Sequence, residues 1–264
     1  MAGEASVYQQ DQPPGVPSLE MTGERTLPEV PQENYWYQRH LVVYEWAATR
    51  AAGKRVIDMA CGEGYGTDVL ARTAESAIGV DANPEAYEHA RLKYRGPNLR
   101  FACELVEEFV APADVVVFLQ TVEHVREPAA ALAHFGDLVR ASNGEVFVST
   151  PNVHTLAAPG EAQSANPWHV KEYSPAEFRE LLLPFFPRIE LFGLFPAGRL
   201  RLPWWITGAT GNGFPLAKGR SDLVGRLRQR IGQSVTTSDF RIGPARDVDA
   251  LEGTLDLIAV CRTS

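Results

Sequence analysis

Residues 56 to 66 read Val-Ile-Asp-Met-Ala-Cys-Gly-Glu-Gly-Tyr-Gly, and Gly79-Val80-Asp81 follows where a second strand should end. An apolar run that breaks into glycines is a strand opening into a loop. There the backbone can approach a ligand closely, because glycine has no Cβ and tolerates positive φ. A carboxylate at the end of the next strand is placed to take both hydroxyls of a ribose. Together the two signals announce a nucleoside-bearing ligand. The spacing Gly62-x-Gly64-x-Gly66 departs from the G-x-G-x-x-G of dinucleotide sites, which disfavours a nicotinamide dehydrogenase.

Outward from this stretch, strand and helix alternate. Residues 55–60, 76–81, 99–104, 114–119 and 145–149 read as strands, and 65–74, 84–94 and 127–140 as helices. Asn83-Pro84 gives a cap followed by proline at the first helical position. Strands separated by helices imply a parallel sheet covered on both faces. Past residue 150 the pattern changes. Ser174-Pro175-Ala176-Glu177 has the form of a capping box and starts a helix ending near Leu183; strand 188–195 follows, and Thr254 to Arg262 forms the last strand. Between these strands lies an insertion at about 196–250, with Pro203-Trp204-Trp205, Arg226, Arg228 and Arg230. It is expected to be a lid over the substrate or an oligomer contact, the latter making the chain a homodimer. Upstream, Asn34 to Arg50 reads as a helix whose Tyr35, Trp36, Tyr44 and Trp46 are too many aromatics for a solvent-facing surface. Residues 1–20, rich in Gln, Pro, Gly and Ser, have too little apolar surface to offset their ordering entropy. They are expected to be a disordered tail on a single domain, 21–264.

The 264 residues hold 25 Lys and Arg against 33 Asp and Glu, a net charge of -8. That balance argues against a polycation that grips nucleic acid through its phosphates. Cys61, Cys103 and Cys261 are odd in number and far apart, with no zinc-ligand spacing. They read as reduced thiols of a cytoplasmic protein. No stretch approaches the roughly 20 apolar residues of a membrane span, and no basic-then-apolar signal region opens the chain.

From about residue 53 onward, the order of these motifs resembles the class I S-adenosylmethionine (SAM) methyltransferases. The resemblance implies a Rossmann-like α/β fold: seven strands, mostly parallel, helices on both faces, an antiparallel last strand and an insertion before it. Asp58, Ala60, Gly62, Gly64 and Gly66 match the motif that cradles the methionine part of SAM, and Asp81 with Ala82 matches the strand end that holds the ribose. Cys103-Glu104-Leu105 stands where the family contacts the adenine edge, usually through an Asp. Asp114 to Gln120 matches the fourth-strand motif and brings Leu119 and Gln120 to the cofactor. In the segment before the first strand, Arg25, Arg39 and His40 are the candidates for neutralising the methionine carboxylate. The structural alternative is that Trp36 and Tyr44 cover the sheet while Arg39 is solvated.

Methyl transfer to oxygen requires alignment and removal of a proton, and a hydroxyl near neutral pH calls for a base or a metal. Gln120, Glu123 and His124 fall at i, i+3 and i+4, one face of a helical turn. His169 follows in Asn166-Pro167-Trp168-His169-Val170-Lys171-Glu172-Tyr173. This set resembles the Glu-x-x-Glu-His plus downstream His metal site of small-RNA 2'-O-methyltransferases, with Gln120 in place of the first Glu. Glu-x-x-Glu-His also resembles the ubiquinone-pathway O-methyltransferases. The resemblance implies Mg2+ or Mn2+ on Glu123, His124 and His169, with Gln120 as a neutral ligand; two imidazoles lean toward manganese or a transition metal. The alternative is that His124 simply packs against the loop. His154 is the alternative base or ligand, while His89 and His134 are expected to be solvated.

Thr22 to Arg25, Glu33 to Tyr44, Ser149 to Asn152 and Asn166 to Tyr173 together resemble actinobacterial sugar O-methyltransferases of polymethylated-polysaccharide biosynthesis. A sugar or oligosaccharide acceptor could then stack on Trp36, Trp168, Trp204 or Trp205. Two other readings stay open: methylation of an aromatic, quinone or lipid-like hydroxyl, and a non-catalytic module binding SAM or a nucleotide sugar.

Overall fold

Runs of apolar residues buried on both faces set the architecture. Strands β1 (Arg55–Met59), β2 (Ser76–Val80), β3 (Leu99–Ala102), β4 (Val115–Leu119) and β5 (Glu145–Pro151) run parallel. With β6 (Arg188–Pro196), β7 (Phe240–Pro244) and β8 (Asp256–Arg262) they form one sheet in the order β3-β2-β1-β4-β5-β8-β6-β7. The computed structural model describes residues 6–158, 161–201 and 230–264. Central β4, Val-Val-Val-Phe-Leu, is buried at every position, as a parallel strand covered on both sides must be. The last strand, β8, is antiparallel to both β5 and β6.

The sheet has eight strands rather than seven. The extra strand, β7, comes from the stretch read as an insertion and pairs antiparallel with β6 from Phe192↔Pro244 to Pro196↔Phe240. Five residues, Phe-Arg-Ile-Gly-Pro, offer too short an alternation to stand out in sequence. Trp204, Trp205, Arg226 and Arg228, and with them most of the expected lid, lie outside the described residues.

Helices α1 (Asn34–Arg50), α2 (Tyr65–Ala71) and α3 (Pro84–Lys93) cover one face, and α4 (Pro128–Arg140) and α6 (Pro175–Leu182) the other; α5 (Val153–Leu156) is a single turn. The cap signals are realised. Asn83 accepts from the Glu85 and Ala86 amides, and Ser174 and Glu177 make both bonds of a capping box.

Strand order reverses between β1 and β4, so the loops after these strands part and leave a crevice at their carboxyl ends. Helix α1 is fastened beside it. Arg39 is fully buried, its Nε 3.1 and 3.0 Å from the two Asp256 oxygens at the start of β8, with Nη2 donating to Asp256 and to the Leu255 carbonyl. Arg39 is therefore neither solvated nor a cofactor ligand: its guanidinium is taken up inside the protein. Tyr44, on the same helix, lies so close to α2 that a Cβ on Gly66 would sit 2.2 Å from its ring.

The described part of the N-terminal segment, 6–20, is ordered against the domain, contrary to the composition. Gln9 and Leu19 pair through their backbones, and Leu19 packs with Leu27 and Val30. Gln9 Nε2 donates to the Pro28 carbonyl and to Glu63 in the glycine loop, 3.2 Å each. Polar tethers substitute for the missing apolar area. His89 is likewise not solvated: it is buried between Glu63 Oε1 (2.8 Å) and the Pro17 carbonyl (2.6 Å). His134 is half-buried on the Phe109 carbonyl. The three cysteines are free, and among the described residues no helix is long and apolar enough to cross a membrane.

Leaving one member of a buried ion pair without its partner costs about 3–5 kcal/mol. Asp256→Ala should destabilise the fold by that amount in urea titration, and Arg39→Met combined with Asp256→Leu should recover most of it. A single variant within about 1 kcal/mol of wild type would show that the pair does not fasten α1.

Candidate active site

A cavity of about 1100 Å3 opens at the carboxyl ends of β1 and β4. Its floor is the glycine loop. Ala60 and Gly62 line it, both at positive φ (58° and 55°). A Cβ on Gly62 would meet only Arg25 Cβ, at 3.7 Å, so this glycine keeps the floor open. Gly64 and Gly66 work differently: side chains there would strike Ala90 at 2.7 Å and Tyr44, so these two glycines let α2 pack against its neighbours. Asp58 lies beneath the loop rather than in the cavity, fully buried, accepting from Tyr44 (3.2 Å) and Thr67 (2.7 Å).

Asp81 lines the cavity at the end of β2. Its two oxygens accept from the backbone amides of Gly62 (2.8 Å) and Asn83 (2.9 Å), which fixes the carboxylate and leaves further lone pairs free. Ala82, Leu105 and Val106 form the adjoining wall, while Glu104 is exposed and outside it.

The loop after β4 forms the opposite wall. Leu119 and Gln120 reach the cavity, but Gln120 sits at φ 52° ahead of a short 3-10 turn, Val122–His124, rather than on a shared helical face. Its amide is turned to Ser149 (Nε2 to Oγ 3.0 Å), and its Oε1 is buried without a hydrogen-bond partner. Glu123 is buried and accepts from Thr150 at 3.0 Å. The Val170 amide donates to the Glu123 carbonyl at 2.8 Å, and Asn152 pairs with Tyr173; these contacts fold the 164–173 loop back over the site. His169 is thereby set against His124, ring centroids 4.9 Å apart, and Glu123, His124 and His169 offer ligand atoms within 4.8 Å of one another.

Both imidazoles are held in one tautomer. His124 Nδ1 lies 3.0 Å from the Trp168 carbonyl, which can only accept, so Nδ1 carries the proton and Nε2 is bare. His169 Nδ1 donates to Glu172 at 2.6 Å, and its Nε2 accepts from the Asn166 amide at 3.0 Å. Glu172, which the sequence reading missed, was signalled by its i, i+3 spacing from His169. Burial alone would raise its carboxyl, but bonds from His169 and Ser164 hold it below the usual range. Burial, then the neighbouring His169, keeps His124 below an ordinary imidazole, so it is neutral near pH 7. His40 also lines the cavity, bonded to Thr26 (3.1 Å). Burial, then the charge of Arg39, drives it down to about 3, so it cannot serve as a cation. His154 is paired with Glu252 on the surface, outside the cavity.

A family model described as a methyltransferase domain matches residues 35–195, more than half of the chain. The chain belongs to the methyltransferase family. A Mycobacterium tuberculosis protein described as a probable S-adenosylmethionine-dependent methyltransferase is 35% identical over 254 residues, 92% of this chain and 89% of that protein. A ubiquinone biosynthesis O-methyltransferase of Erwinia tasmaniensis is 34% identical over 117 residues, 41% of this chain and 48% of that protein. A SAM-dependent methyltransferase structure from Archaeoglobus fulgidus has a TM-score of 0.53 at 17% identity, over 88% of this chain and 97% of that one, a likeness of fold.

The cavity of this methyltransferase suits SAM. It has room for the ligand, an open glycine floor at Gly62, a fixed carboxylate at Asp81 and an orphaned acceptor at Gln120. Three buried carboxyls in or beneath its walls are displaced upward. Desolvation pushes Glu33, Asp58 and Glu123 each up to about 7. Such a group ionises near pH 4 in the unfolded chain and near 7 in the folded one, so the folded state holds more protons between these values. Stability should therefore fall as pH rises from about 4 to about 7, and Asp58→Asn should flatten part of that slope in urea titrations across the window. A slope unchanged by the substitution would mean that Asp58 is ionised throughout.

Proposed function

We propose that the chain is a SAM-dependent O-methyltransferase acting on a hydroxyl of a sugar or polysaccharide precursor, assisted by a divalent cation. The observation that carries this reading is the convergence of Glu123, His124 and His169 on the cavity wall, both imidazoles oriented through Nδ1 by a second group. Asp81 would take the ribose hydroxyls, Ala82, Leu105 and Val106 would flank the adenine, and Gly62 would leave room for the methionine part. Arg25 is the one Lys or Arg among the described residues lining the cavity, and it inherits the role of meeting the methionine carboxylate.

Glu123, His124 and His169 would hold Mn2+ or Mg2+, which when bound lowers the pKa of a coordinated acceptor hydroxyl. His169 would have to release Asn166 to expose its Nε2. Without a metal, the bare Nε2 of neutral His124 can take the hydroxyl proton as the oxygen displaces the sulfur from the methyl carbon. In both cases the protein aligns the oxygen behind the methyl group and releases S-adenosylhomocysteine. Trp36 and Trp168 on the cavity walls suit the face of a pyranose. A quinone or aromatic hydroxyl is the second reading, favoured by the partial likeness to ubiquinone biosynthesis O-methyltransferases.

Asp81→Ala should weaken S-adenosylhomocysteine binding by about tenfold or more in calorimetry. Unchanged affinity would remove the ribose role. Glu123→Ala and His124→Ala should each lower turnover by about 100-fold with cofactor affinity within a few-fold. Near-normal turnover in either would remove the assigned base or ligand. Mn2+ titrated into the chelator-treated protein should give a saturable heat that Glu172→Gln weakens by about tenfold. Profiling short methylated oligosaccharides against quinols and catechols decides between the two acceptors.

A further inference from the structure

Glu33 opens one of the segments that carry the sugar O-methyltransferase resemblance but was given no role of its own, and the chemistry above does not use it. It immediately precedes α1, is only 7% exposed, and still lines the cavity. Buried carboxylates are normally neutralised by a neighbouring cation. Among the described residues no Lys, Arg or His forms an ion pair with Glu33; its partner is the Leu27 amide, and burial raises its carboxyl. It stands where the 25–27 segment meets α1, so Arg25, on the same segment, reaches the cavity nearby. Its charge is also felt by Tyr65, the first residue of α2. Glu33 thus stands at the start of the helix whose Tyr37 and Tyr44 rings pack on Tyr65, next to Gly64 and Gly66.

We infer that Glu33 is a cofactor-binding residue that accepts a charge-assisted hydrogen bond from the α-ammonium of the methionine part of SAM. The ammonium is the cationic group of SAM that carries N–H donors; the sulfonium has none. Arg25 and Glu33 then form a complementary pair for the amino-acid zwitterion, one for each charge. A buried carboxyl without a protein cation is drawn into its ionised form by the ammonium on binding, and the site thereby discriminates against ligands that lack the amine. The inference rests on the SAM reading.

The test is calorimetric binding of S-adenosylhomocysteine and of its analogue lacking the α-amine, to wild type and to Glu33→Gln, which keeps an acceptor for the Leu27 amide. Wild type should prefer the amine-bearing ligand by about tenfold or more. In Glu33→Gln that preference should collapse to within about twofold, with affinity for the deaminated analogue unchanged. A preference equal to that of wild type in the variant overturns the proposal, as does no preference in wild type. Should the variant not fold, the ammonium pKa of 15N-labelled S-adenosylhomocysteine bound to wild type decides: raised above its free value it supports the contact, unchanged or lowered it refutes it. If neither ligand binds wild type, the SAM reading itself fails, a result distinct from binding without discrimination.

Discussion

The site depends on one buried ion pair. Arg39 and Asp256 are 217 residues apart and both fully excluded from solvent, and their bond locks the helix that precedes the sheet to the first residue of its last strand. Separating the two charges would leave each desolvated, so the pair fixes the placement of α1 as well as adding stability. With α1 held, Tyr44 can reach Asp58 and press against Gly66, and Glu33, Trp36 and His40 are presented along one wall of the cavity. The helix that looked in sequence like a cofactor clamp is a structural wall whose arginine faces inward.

The second constraint is topological. Reversal of strand order between β1 and β4 brings the glycine loop and the 120–124 loop to the two sides of a single crevice. The remaining wall is brought in by hydrogen bonds: Thr150 to Glu123, Val170 to the Glu123 carbonyl, and the pairing of Asn152 with Tyr173. His169 reaches His124 because the chain between them folds back on Glu123. The orientation of the two imidazoles then follows from what lies behind them, a backbone carbonyl and a buried carboxylate.

Electrostatically the cavity is built of groups kept from their ordinary ionisation. Glu33, Asp58 and Glu123 are raised by burial, while His40 and His124 are lowered by it. Near pH 7 Glu33, Asp58 and Glu123 are therefore only partly ionised, and a cationic ligand or metal would draw out their charge. Desolvation that is unfavourable to the empty fold becomes binding selectivity, the usual relation between perturbed ionisation and a functional site.

Sequence alone determined the alternation of strand and helix, the parallel sheet, the caps at Asn83 and Ser174, and the placement of Gly62 and Asp81 at strand ends. These follow from local periodicity and from residue types whose stereochemistry is specific. It did not determine the ordering of residues 6–20, where Gln9 and Glu63 meet across 54 positions, nor the burial of His89, nor the fate of Arg39, nor the eighth strand. It could not tell that Gly64 and Gly66 make room for protein while Gly62 makes room for a ligand, since all three look alike on the page. Nor could it show which nitrogen of each histidine is bare, or that Glu33 lacks an ion-pair partner among the described residues. Each of those depends on which distant groups share a desolvated space, and only the tertiary structure decides that.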